Sequence, residues 1–236
     1  MFKEHYSLIT GASRGLGFSI CKRLAEMDSN LILISKNKLN LDKTIKNLKD
    51  NYPGIDIVSF CIDLSSQNNK EMIDSIDISN YKPDILINCA ADFHYKNLIE
   101  ENHLLIEEHF RLNVFSPFYF AQKLFPYMKT NNYGRIVNIC SSSAYAGFPG
   151  TGIYCSSKHA LLGLSRSMHN EWKKYGIRTF SISPGSIQTD MGKKVKGQRF
   201  EDFIEPNEIS RYIVHLLTYN GNMNIEETRI NRITYS

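Results

Sequence analysis

A glycine-rich turn near the N-terminus constrains the fold of this chain more than any other stretch. Its three glycines, Gly11, Gly15 and Gly17, follow a short apolar segment, residues 6–10, that has the length of a buried strand. Apolar residues then recur at helical spacing at Leu16, Ile20, Leu24 and Met27. A strand, a glycine-rich turn and a helix form the unit that brings backbone N–H groups and a helix N-terminus close to a phosphate. The turn therefore predicts a pyrophosphate-binding site at the first βα junction.

Strands and helices continue to alternate along the chain of 236 residues. Apolar runs predict further strands at 31–34, 55–62, 84–87, 134–140, 178–182 and 228–233. Helical periodicity predicts helices around 41–48 and 73–76, and over 104–128, 154–175 and 208–217. Parallel strands joined by helices bury both faces of their sheet, which suits these apolar strands. We predict a single α/β domain over residues 1–236, with a doubly wound, mostly parallel, seven-stranded sheet and helices on both faces.

The end of the second predicted strand bears on the choice of dinucleotide. In such folds this end meets the adenosine ribose, where a carboxylate binds the 2′-hydroxyl of NAD and repels the 2′-phosphate of NADP. This chain has Ser35 and Lys36 there, and Arg14 is available from the glycine-rich turn. Two cations without a carboxylate favour NADP(H) over NAD(H). The alternative interpretation is that Lys36 is an ordinary polar loop residue.

Tyr154 and Lys158 stand four residues apart at the start of a predicted helix, and therefore on one face of it. A phenol has a pKa near ~10, and a cation within reach lowers the pKa of an acid by roughly 1–3 units. Such a pairing makes a tyrosine a proton donor and acceptor near neutral pH. Tyrosine and lysine at this spacing also occur by chance on exposed helices, so the pair gains meaning only from the rest of the chain.

Polar and small residues cluster where later strands end. Asn88 and Ala90 follow the fourth predicted strand, and Ser141–Ser143 follow the fifth. Ligands of doubly wound sheets bind at the carboxyl ends of strands, so both segments face the predicted site. Asn113 lies between two apolar neighbours inside a predicted helix, at a cost in helix propensity, which favours a functional role over an exposed position. Residues 191–206 are polar and charged, and we predict a mobile lid there.

Taken together, these segments resemble the short-chain dehydrogenase/reductase family, and its 3-oxoacyl-reductase-like branch, over essentially the whole chain. Residues 10–17 match the cofactor turn of that family, Thr-Gly-x-x-x-Gly-x-Gly. The resemblance implies a Rossmann-type fold and a nicotinamide cofactor. It also implies cofactor contacts at Thr10, Gly11, Ser13, Arg14, Gly15, Leu16, Gly17, Lys36, Asp63, Leu64, Asn88, Ala90, Tyr154, Lys158, Pro184, Gly185, Ile187 and Thr189.

Four residues match the catalytic positions of the family: Asn113, Ser141, Tyr154 and Lys158. By the resemblance, Tyr154 is the general acid and base, and Lys158 lowers the pKa of Tyr154 and holds the nicotinamide ribose. The serine hydroxyl positions the substrate oxygen, and Asn113 fixes a water that links Lys158 to solvent. The family's usual spacing of thirteen positions before the tyrosine selects Ser141, whereas a spacing of twelve selects Ser142.

Two segments depart from the family pattern. Residues 88–91 read Asn-Cys-Ala-Ala instead of Asn-Asn-Ala-Gly, and we expect the extra methyl group of Ala91 to tighten the floor of the cofactor site. The C-terminal segment lacks the family's common Val-Asp-Gly-Gly end and stops soon after the last predicted strand. We expect a homodimer or homotetramer, and this departure weakens the case for a four-subunit assembly through that strand.

Charge and cysteine content narrow the class of protein. The formal charge of +4 is modest, and the basic residues are scattered apart from a small group at 193–199, which argues against a nucleic-acid-binding face. Five cysteines without a Cys-x-x-Cys pair indicate reduced thiols rather than disulfides or a zinc site. No apolar run approaches the ~18 residues of a membrane span, and the N-terminus does not read as a signal peptide. We expect a cytoplasmic protein without a metal, a membrane or a nucleic-acid partner.

The expected activity is NADP(H)-dependent interconversion of a carbonyl and a secondary alcohol in a small-molecule substrate. One alternative is a cofactor-binding regulator or scaffold that keeps this fold with little turnover. Another is a nucleotide-sugar epimerase or dehydratase, although such relatives usually have a longer C-terminal substrate region. The side chains expected around the substrate are of mixed character: Phe93, His94, Tyr95, Tyr145, Phe148, Phe200 and Phe203. Acyl thioesters, sugars or polyols, steroid-like ketones and small aldehydes all remain open as substrates, with the lysines of the lid favouring an anionic one.

Overall fold

A computed structural model describes residues 2–233 as a seven-stranded sheet flanked by helices. The predicted domain also includes Met1 and residues 234–236, which lie outside the described residues. The strands are β1 Tyr6–Thr10, β2 Asn30–Ser35, β3 Ile57–Cys61, β4 Ile85–Asn88, β5 Gly134–Ile139, β6 Ile177–Pro184 and β7 Glu227–Ile230. Their order is β3-β2-β1-β4-β5-β6-β7, and every neighbouring pair is parallel. The predicted doubly wound sheet is confirmed.

Helices cover both faces of this sheet, as the sequence predicts. The α-helices are α1 Gly15–Ala25, α2 Lys38–Asn51, α3 Asn69–Ser75, α4 His103–Phe110, α5 Ser116–Thr130, α6 Gly152–Trp172 and α7 Pro206–Leu217. Alternate residues of a strand point to opposite faces, which divides the core into two layers. Leu8 of β1 belongs to the layer that contains Phe120 of α5. Its neighbour Ile9 belongs to the other layer, with Ile20 of α1 and Ile213 of α7.

The strand order reverses between β1 and β4, and the chain leaves these two strands towards opposite faces of the sheet. Doubly wound sheets bind ligands in the crevice that such a reversal opens at the carboxyl ends of the strands. Beside this crevice, the hydroxyl of Thr10 accepts hydrogen bonds from the backbone N–H groups of Cys89 and Ala90, both at 3.1 Å. Thr10 therefore ties the ends of β1 and β4 together.

The helix predicted over 104–128 is interrupted by a π-helical segment, Arg111–Phe115, between α4 and α5. Pro117 has no N–H with which to reach the carbonyl of Asn113 four residues earlier, so a regular α-helical ladder cannot run through this point. The N–H of Ser116 instead donates to the carbonyl of Arg111, five residues back. The prediction of a continuous helix is wrong here, and Asn113 lies inside the wider turn. Such π segments are frequent at functional sites.

Other element boundaries differ from the sequence prediction by a few residues. The helix that carries Tyr154 begins at Gly152 and ends at Trp172 rather than at 175. Strand β7 ends at Ile230, and residues 231–233 have no regular structure. Within residues 2–233, no helix has the length and apolar character needed to span a membrane. The same residues contain no group of three or more His, Cys, Asp or Glu side chains placed to hold a metal ion.

Two glycines of the turn after β1 are required by close packing. Gly11 has a φ of +69°, and a Cβ at this position would lie 2.9 Å from the backbone of Ala90. A Cβ at Gly17 would collide with the carbonyl oxygen of Gly11, because the first turn of α1 packs directly against the backbone of the turn. A larger residue at either position has to displace the turn.

Replacing Gly17 with alanine tests this packing. We expect Gly17→Ala to lower the free energy of unfolding by about 1–3 kcal/mol, the usual cost of overpacking, in urea unfolding followed by circular dichroism. Gly163→Ala is the matched control, because Gly163 lies on α6 with no neighbouring atom within 4 Å of an added Cβ. That control should gain about 0.5–1 kcal/mol from helix propensity. A Gly17→Ala protein as stable as the wild type would contradict the close approach.

Candidate active site

A cavity of about 830 Å³ opens at the carboxyl ends of the strands and is lined by most of the residues predicted to bind a cofactor. Those that line it are Gly11, Ser13, Arg14, Gly15, Leu16, Gly17, Lys36, Asp63, Leu64, Ala90, Tyr154, Lys158, Pro184, Gly185, Ile187 and Thr189. Of the other predicted catalytic residues, Ser141 lines it too. Thr10, Asn88 and Asn113 are buried side chains that do not line the cavity.

The N-terminus of α1 lies in the wall of this cavity. Arg14 is the N-cap residue, its side chain makes no capping hydrogen bond, and the first turn of the helix holds no acidic residue. The first backbone N–H groups of an α-helix have no partner within the helix and carry a partial positive charge. Gly15, with a φ of +54°, supplies the left-handed bend at the start of the helix. The turn therefore fits a pyrophosphate, which needs N–H donors and the absence of a nearby carboxylate.

Hydroxyl, amide and basic side chains line the end of the cavity beside β2. The hydroxyl of Ser13 lies 2.7 Å from the hydroxyl of Ser35, and Lys36 follows directly. Asn37 and Asn40, which the sequence reasoning missed, also line this end. In the sequence these two residues are typical of a helix N-terminus and do not indicate a ligand site. The structure agrees with the capping role, since Asn37 Oδ1 accepts a hydrogen bond from the N–H of Asn40 at 2.9 Å. These side chains offer a ligand several hydrogen-bond donors and a positive charge.

Asp63 lies at the same end of the cavity with one carboxylate oxygen already engaged. The N–H and the hydroxyl of Ser65 donate to Asp63 Oδ1 at 2.9 and 2.6 Å. Burial pushes the pKa of Asp63 upwards, but the two bonds from Ser65 and the charge of Lys36 outweigh burial and hold the pKa below its usual value. Asp63 is therefore ionised at neutral pH, and its second oxygen suits a donor on the ligand, such as an amino group.

Tyr154 and Lys158 lie one turn apart on α6 and are both buried, with 8% and 2% of their surfaces exposed. The ammonium of Lys158 donates to the carbonyl of Ile139 at 2.9 Å and lies 5.8 Å from the centre of the Tyr154 ring. Burial raises the pKa of Tyr154 to about 12, against the lowering effect of a hydrogen bond with Ser141. Burial also lowers the pKa of Lys158. In this arrangement the ammonium is bound to Ile139 and burial dominates the pKa of Tyr154, so the lowering of that pKa by Lys158 stays a prediction.

The two candidate serines differ in their partners. Ser141 forms the side-chain hydrogen bond with Tyr154 and also accepts the N–H of Ser143 at 3.1 Å. Ser142 lines the cavity as well, but it begins a short 3₁₀ turn, Ser142–Ala144, for which Ser141 is the N-cap. This geometry favours Ser141 as the serine that acts with Tyr154.

Asn113 is fully buried on the π segment, where that segment packs against α6. Its Nδ2 donates to the hydroxyl of Ser157 at 3.0 Å, and that hydroxyl donates to the carbonyl of Tyr154 at 2.8 Å. Asn113 Oδ1 is buried without a hydrogen-bond partner among residues 2–233. Buried polar atoms are usually paired, with an ordered water where protein donors are missing. Asn113 thus holds the turn of α6 that carries Tyr154 in place through Ser157. Its Oδ1 is available to accept a hydrogen bond from a further donor.

The lid segment, residues 191–206, is joined to the loop after β4 through Lys194. Lys194 Nζ lies 3.0 Å from Asp92 Oδ1 and 3.4 Å from the carbonyl oxygen of Phe93. The ring of Phe93 meets the ring of Tyr154 edge-on, with their centres 5.1 Å apart. The sequence reasoning missed Asp92, because an isolated charged residue in a loop carries no periodic signal. The lid is therefore in contact with the loop that packs on Tyr154.

Three of the seven side chains expected around the substrate line the cavity: Phe93, Tyr95 and Phe148. The other four, His94, Tyr145, Phe200 and Phe203, do not line it. The side chain of Tyr145 is used elsewhere, because its hydroxyl donates to a carboxylate oxygen of Glu227 in β7 at 3.0 Å. Fewer of the expected aromatic side chains therefore line the cavity than the sequence predicts.

Residues 6–199 match the family model of the short chain dehydrogenases. The chain belongs to the short-chain dehydrogenase family. The 3-oxoacyl-acyl-carrier-protein reductase FabG of Rickettsia bellii is 32% identical to it over 196 residues, which are 83% of this chain and 78% of that relative. The resemblance to this family and to its 3-oxoacyl-reductase-like branch is confirmed, and the chain is accordingly an oxidoreductase of this family.

Solved structures share the fold of this short-chain dehydrogenase along almost its whole length. An alcohol dehydrogenase from the archaeon Thermococcus sibiricus, complexed with 5-hydroxy-NADP, has a TM-score of 0.86 at 24% identity and covers 98% of this chain and 97% of its own. A 4-hydroxyisoleucine dehydrogenase complexed with NADH has a TM-score of 0.83 at 25% identity and covers 96% of each chain. The Rossmann-type fold implied by the resemblance is confirmed.

The burial of Tyr154 in this short-chain dehydrogenase can be tested by titration. A pKa of about 12 keeps the phenol protonated at a pH where ordinary tyrosines, with a pKa near ~10, ionise. The tyrosinate absorbance of the wild type and of Tyr154→Phe should therefore coincide through pH ~10 and separate only at higher pH. Because burial raises the pKa in the folded state, stability should fall as the pH rises from about 10 towards 12. A tyrosinate signal from Tyr154 near pH ~10 would contradict the burial of the phenol.

Proposed function

We propose that this short-chain dehydrogenase is an NADP(H)-dependent oxidoreductase that interconverts a carbonyl group and a secondary alcohol. The observation that carries the proposal is a shared cavity, which holds both the phosphate-fitting turn, residues 11–17, and the buried pair of Tyr154 and Ser141. A nicotinamide dinucleotide needs a site for its pyrophosphate and a site where its redox ring meets the substrate. In this chain, one cavity contains a candidate for each of these two sites.

The residues of the chain would hold the cofactor at separate points. The N-terminus of α1 would bind the pyrophosphate, Lys158 the nicotinamide ribose, and the segment Pro184–Thr189 the nicotinamide amide. When bound, NADPH supplies a hydride to the carbonyl carbon. The contributions proposed for Thr10 and Asn88 are indirect, because Thr10 binds the backbone after β4 and Asn88 is buried beneath it.

Tyr154 would give its proton to the substrate oxygen, and Ser141 would hydrogen-bond the same oxygen and position it. A phenol with a pKa of about 12 holds its proton tightly, so proton transfer near neutral pH requires a cation to approach it. Lys158 is the cation one turn away, once its ammonium leaves the carbonyl of Ile139. Asn113, with its unpaired Oδ1, would hold a water that returns protons to Lys158.

The choice of NADP(H) over NAD(H) rests on the side chains beside β2. Arg14 and Lys36 bring two positive charges to a lining that also contains Ser35 and Asn37. A 2′-phosphate would gain charge-assisted hydrogen bonds from such a lining. Solved structures of similar fold carry 5-hydroxy-NADP in one case and NADH in another. The preference for NADP(H) is therefore inferred from the residues of this chain.

The substrate would be a small-molecule carbonyl compound or alcohol held between the lid and the aromatic side chains Phe93, Tyr95 and Phe148. We propose one cofactor-binding domain over residues 1–236 that acts in the cytoplasm as a homodimer or homotetramer. The ion pair of Lys194 and Asp92 places charges of both signs at the substrate end of the cavity. Polar groups on the substrate are therefore better accommodated there than a purely apolar body.

Removing the Tyr154 hydroxyl tests the chemistry. We expect Tyr154→Phe to lower NADPH oxidation by roughly 10²–10⁴-fold, the usual contribution of a general acid, while the Kd for NADPH changes by less than about twofold. Turnover is measured against a panel of ketones, aldehydes and acyl-thioester mimics, and the Kd by NADPH fluorescence. Tyr127→Phe, which removes the hydroxyl of a tyrosine outside the cavity, is the control.

Equal turnover in Tyr154→Phe and the wild type would refute the role of Tyr154. The panel also addresses the alternative of a cofactor-binding regulator or scaffold. A wild-type protein that binds NADPH tightly and reduces no compound of the panel would favour that alternative, which predicts binding without turnover.

The cofactor preference is tested by reversing the charge beside β2. We expect Lys36→Asp combined with Arg14→Ala to lower the ratio of NADPH to NADH affinity by at least about tenfold, which corresponds to about 1.4 kcal/mol. The reason is that a carboxylate repels the 2′-phosphate and accepts from a 2′-hydroxyl. Lys38→Asp, the same charge change at a residue outside the cavity, should leave the ratio near that of the wild type. An unchanged ratio in the double variant would mean that the phosphate is held elsewhere.

A further inference from the structure

A ladder of buried polar side chains connects the central strands to α6 beneath the proposed site. Asn88 Nδ2, at the end of β4, donates to Asn138 Oδ1 of β5 at 2.8 Å. Asn138 Nδ2 donates to the hydroxyl of Ser165 on α6, also at 2.8 Å. That hydroxyl donates to the carbonyl of Leu161, again at 2.8 Å. The three side chains Asn88, Asn138 and Ser165 are at most 2% exposed.

The ladder lies next to the point where Lys158 is anchored. Asn138 immediately precedes Ile139, whose carbonyl accepts the ammonium of Lys158 at 2.9 Å. Ser165 is seven residues after Lys158, and two helical turns contain about 7.2 residues, so both side chains lie on the same face of α6. Strand β5 therefore holds this face of the helix at two points, one through Lys158 itself and one through Ser165.

These two points of attachment differ in whether they use the ammonium of Lys158. The first uses one N–H of the ammonium, and under the proposed function the same ammonium has to turn towards the nicotinamide ribose and the phenol. The second leaves Lys158 free, because it is made by Asn138 and Ser165 alone. An apolar pair would pack between a strand and a helix without needing directed bonds, whereas a buried amide and hydroxyl fix one relative position, since leaving either unpaired is costly.

We infer that Asn138 and Ser165 are positioning residues for Lys158. Their bond holds α6 at a fixed place on β5 when the ammonium turns from Ile139 towards the cofactor, so Lys158 and Tyr154 keep their places at the site. This inference rests on the proposed function, because it needs a cofactor that Lys158 contacts. Neither residue lines the cavity or touches the reacting atoms, so both act only through Lys158.

The inference is tested by ligand binding to Ser165→Ala, with two ligands that differ in whether they reach Lys158. NADPH has the nicotinamide ribose that Lys158 is proposed to hold, whereas adenosine 2′,5′-bisphosphate is the half of the cofactor that ends before it. We expect Ser165→Ala to raise the Kd for NADPH by roughly five- to tenfold, as expected for the loss of about one uncharged hydrogen bond, and to leave the Kd for the bisphosphate unchanged.

Ser156→Ala is the matched control for this experiment. Ser156 is an exposed serine of the same helix whose hydroxyl donates to the carbonyl of Gly152 at 2.8 Å, just as Ser165 donates to Leu161. It makes no contact with β5, so both Kd values should match the wild type. Ser165→Cys replaces the hydroxyl with a somewhat larger thiol and weakens the hydrogen bond, and it should change NADPH binding in the same direction as Ser165→Ala.

The outcomes separate this inference from the proposed function. If the wild type binds both ligands and Ser165→Ala binds NADPH as the wild type does, the positioning role is overturned and the proposed function stands. If Ser165→Ala loses both affinities equally, the role is general stability and the inference is again overturned. A wild-type protein that binds NADPH no more tightly than the bisphosphate would refute the contact of Lys158 with the cofactor, and with it both proposals.

Discussion

The site of this protein depends on keeping a lysine ammonium in the interior. A buried charge is costly unless hydrogen bonds replace the lost water, and the carbonyl of Ile139 supplies such a bond to Lys158. Burial disfavours the charged forms of both Lys158 and Tyr154, which lowers the pKa of the first and raises that of the second. If the ammonium and the phenol approach each other, each charge stabilises the other. The charge state of Tyr154 therefore depends on the position of one flexible side chain.

Periodicity and turn chemistry were sufficient to predict the frame of the molecule. The strands of the doubly wound sheet and the turn after β1 follow from apolar patterns and glycine spacing, because burial and positive φ are local demands. The π segment at Asn113 was not predicted, although Pro117 indicates that a regular α-helix cannot run through this point. The bond of Lys158 to Ile139 and the exclusion of Tyr145 from the cavity had no sequence signal, because each depends on where two distant segments meet.

The frame and the loops above it differ in how firmly they are held. Beneath the cavity, Thr10, Asn138 and Ser165 are buried, and each is hydrogen-bonded to another part of the chain. Above it, the lid is joined to the loop after β4 by an ion pair whose side chains are 53% and 51% exposed. Exposed pairs of this kind contribute about 0–1 kcal/mol. The floor of the cavity is thus held by buried hydrogen bonds, whereas the segments above it cost little to rearrange.

The adjacency of β1 and β4 has a consequence for how the protein is made. Ser7 pairs with Ile85, so β1 has to wait for the whole of α1, β2, α2, β3 and α3 before its central neighbour β4 is synthesised. Pairings between such distant segments form slowly, and the unpaired edge of β1 is open to wrong partners meanwhile. The glycine-rich turn follows β1 directly, yet Gly11 packs against Ala90. A nascent chain that ends before residue 90 therefore carries the whole glycine-rich turn without the backbone against which it packs.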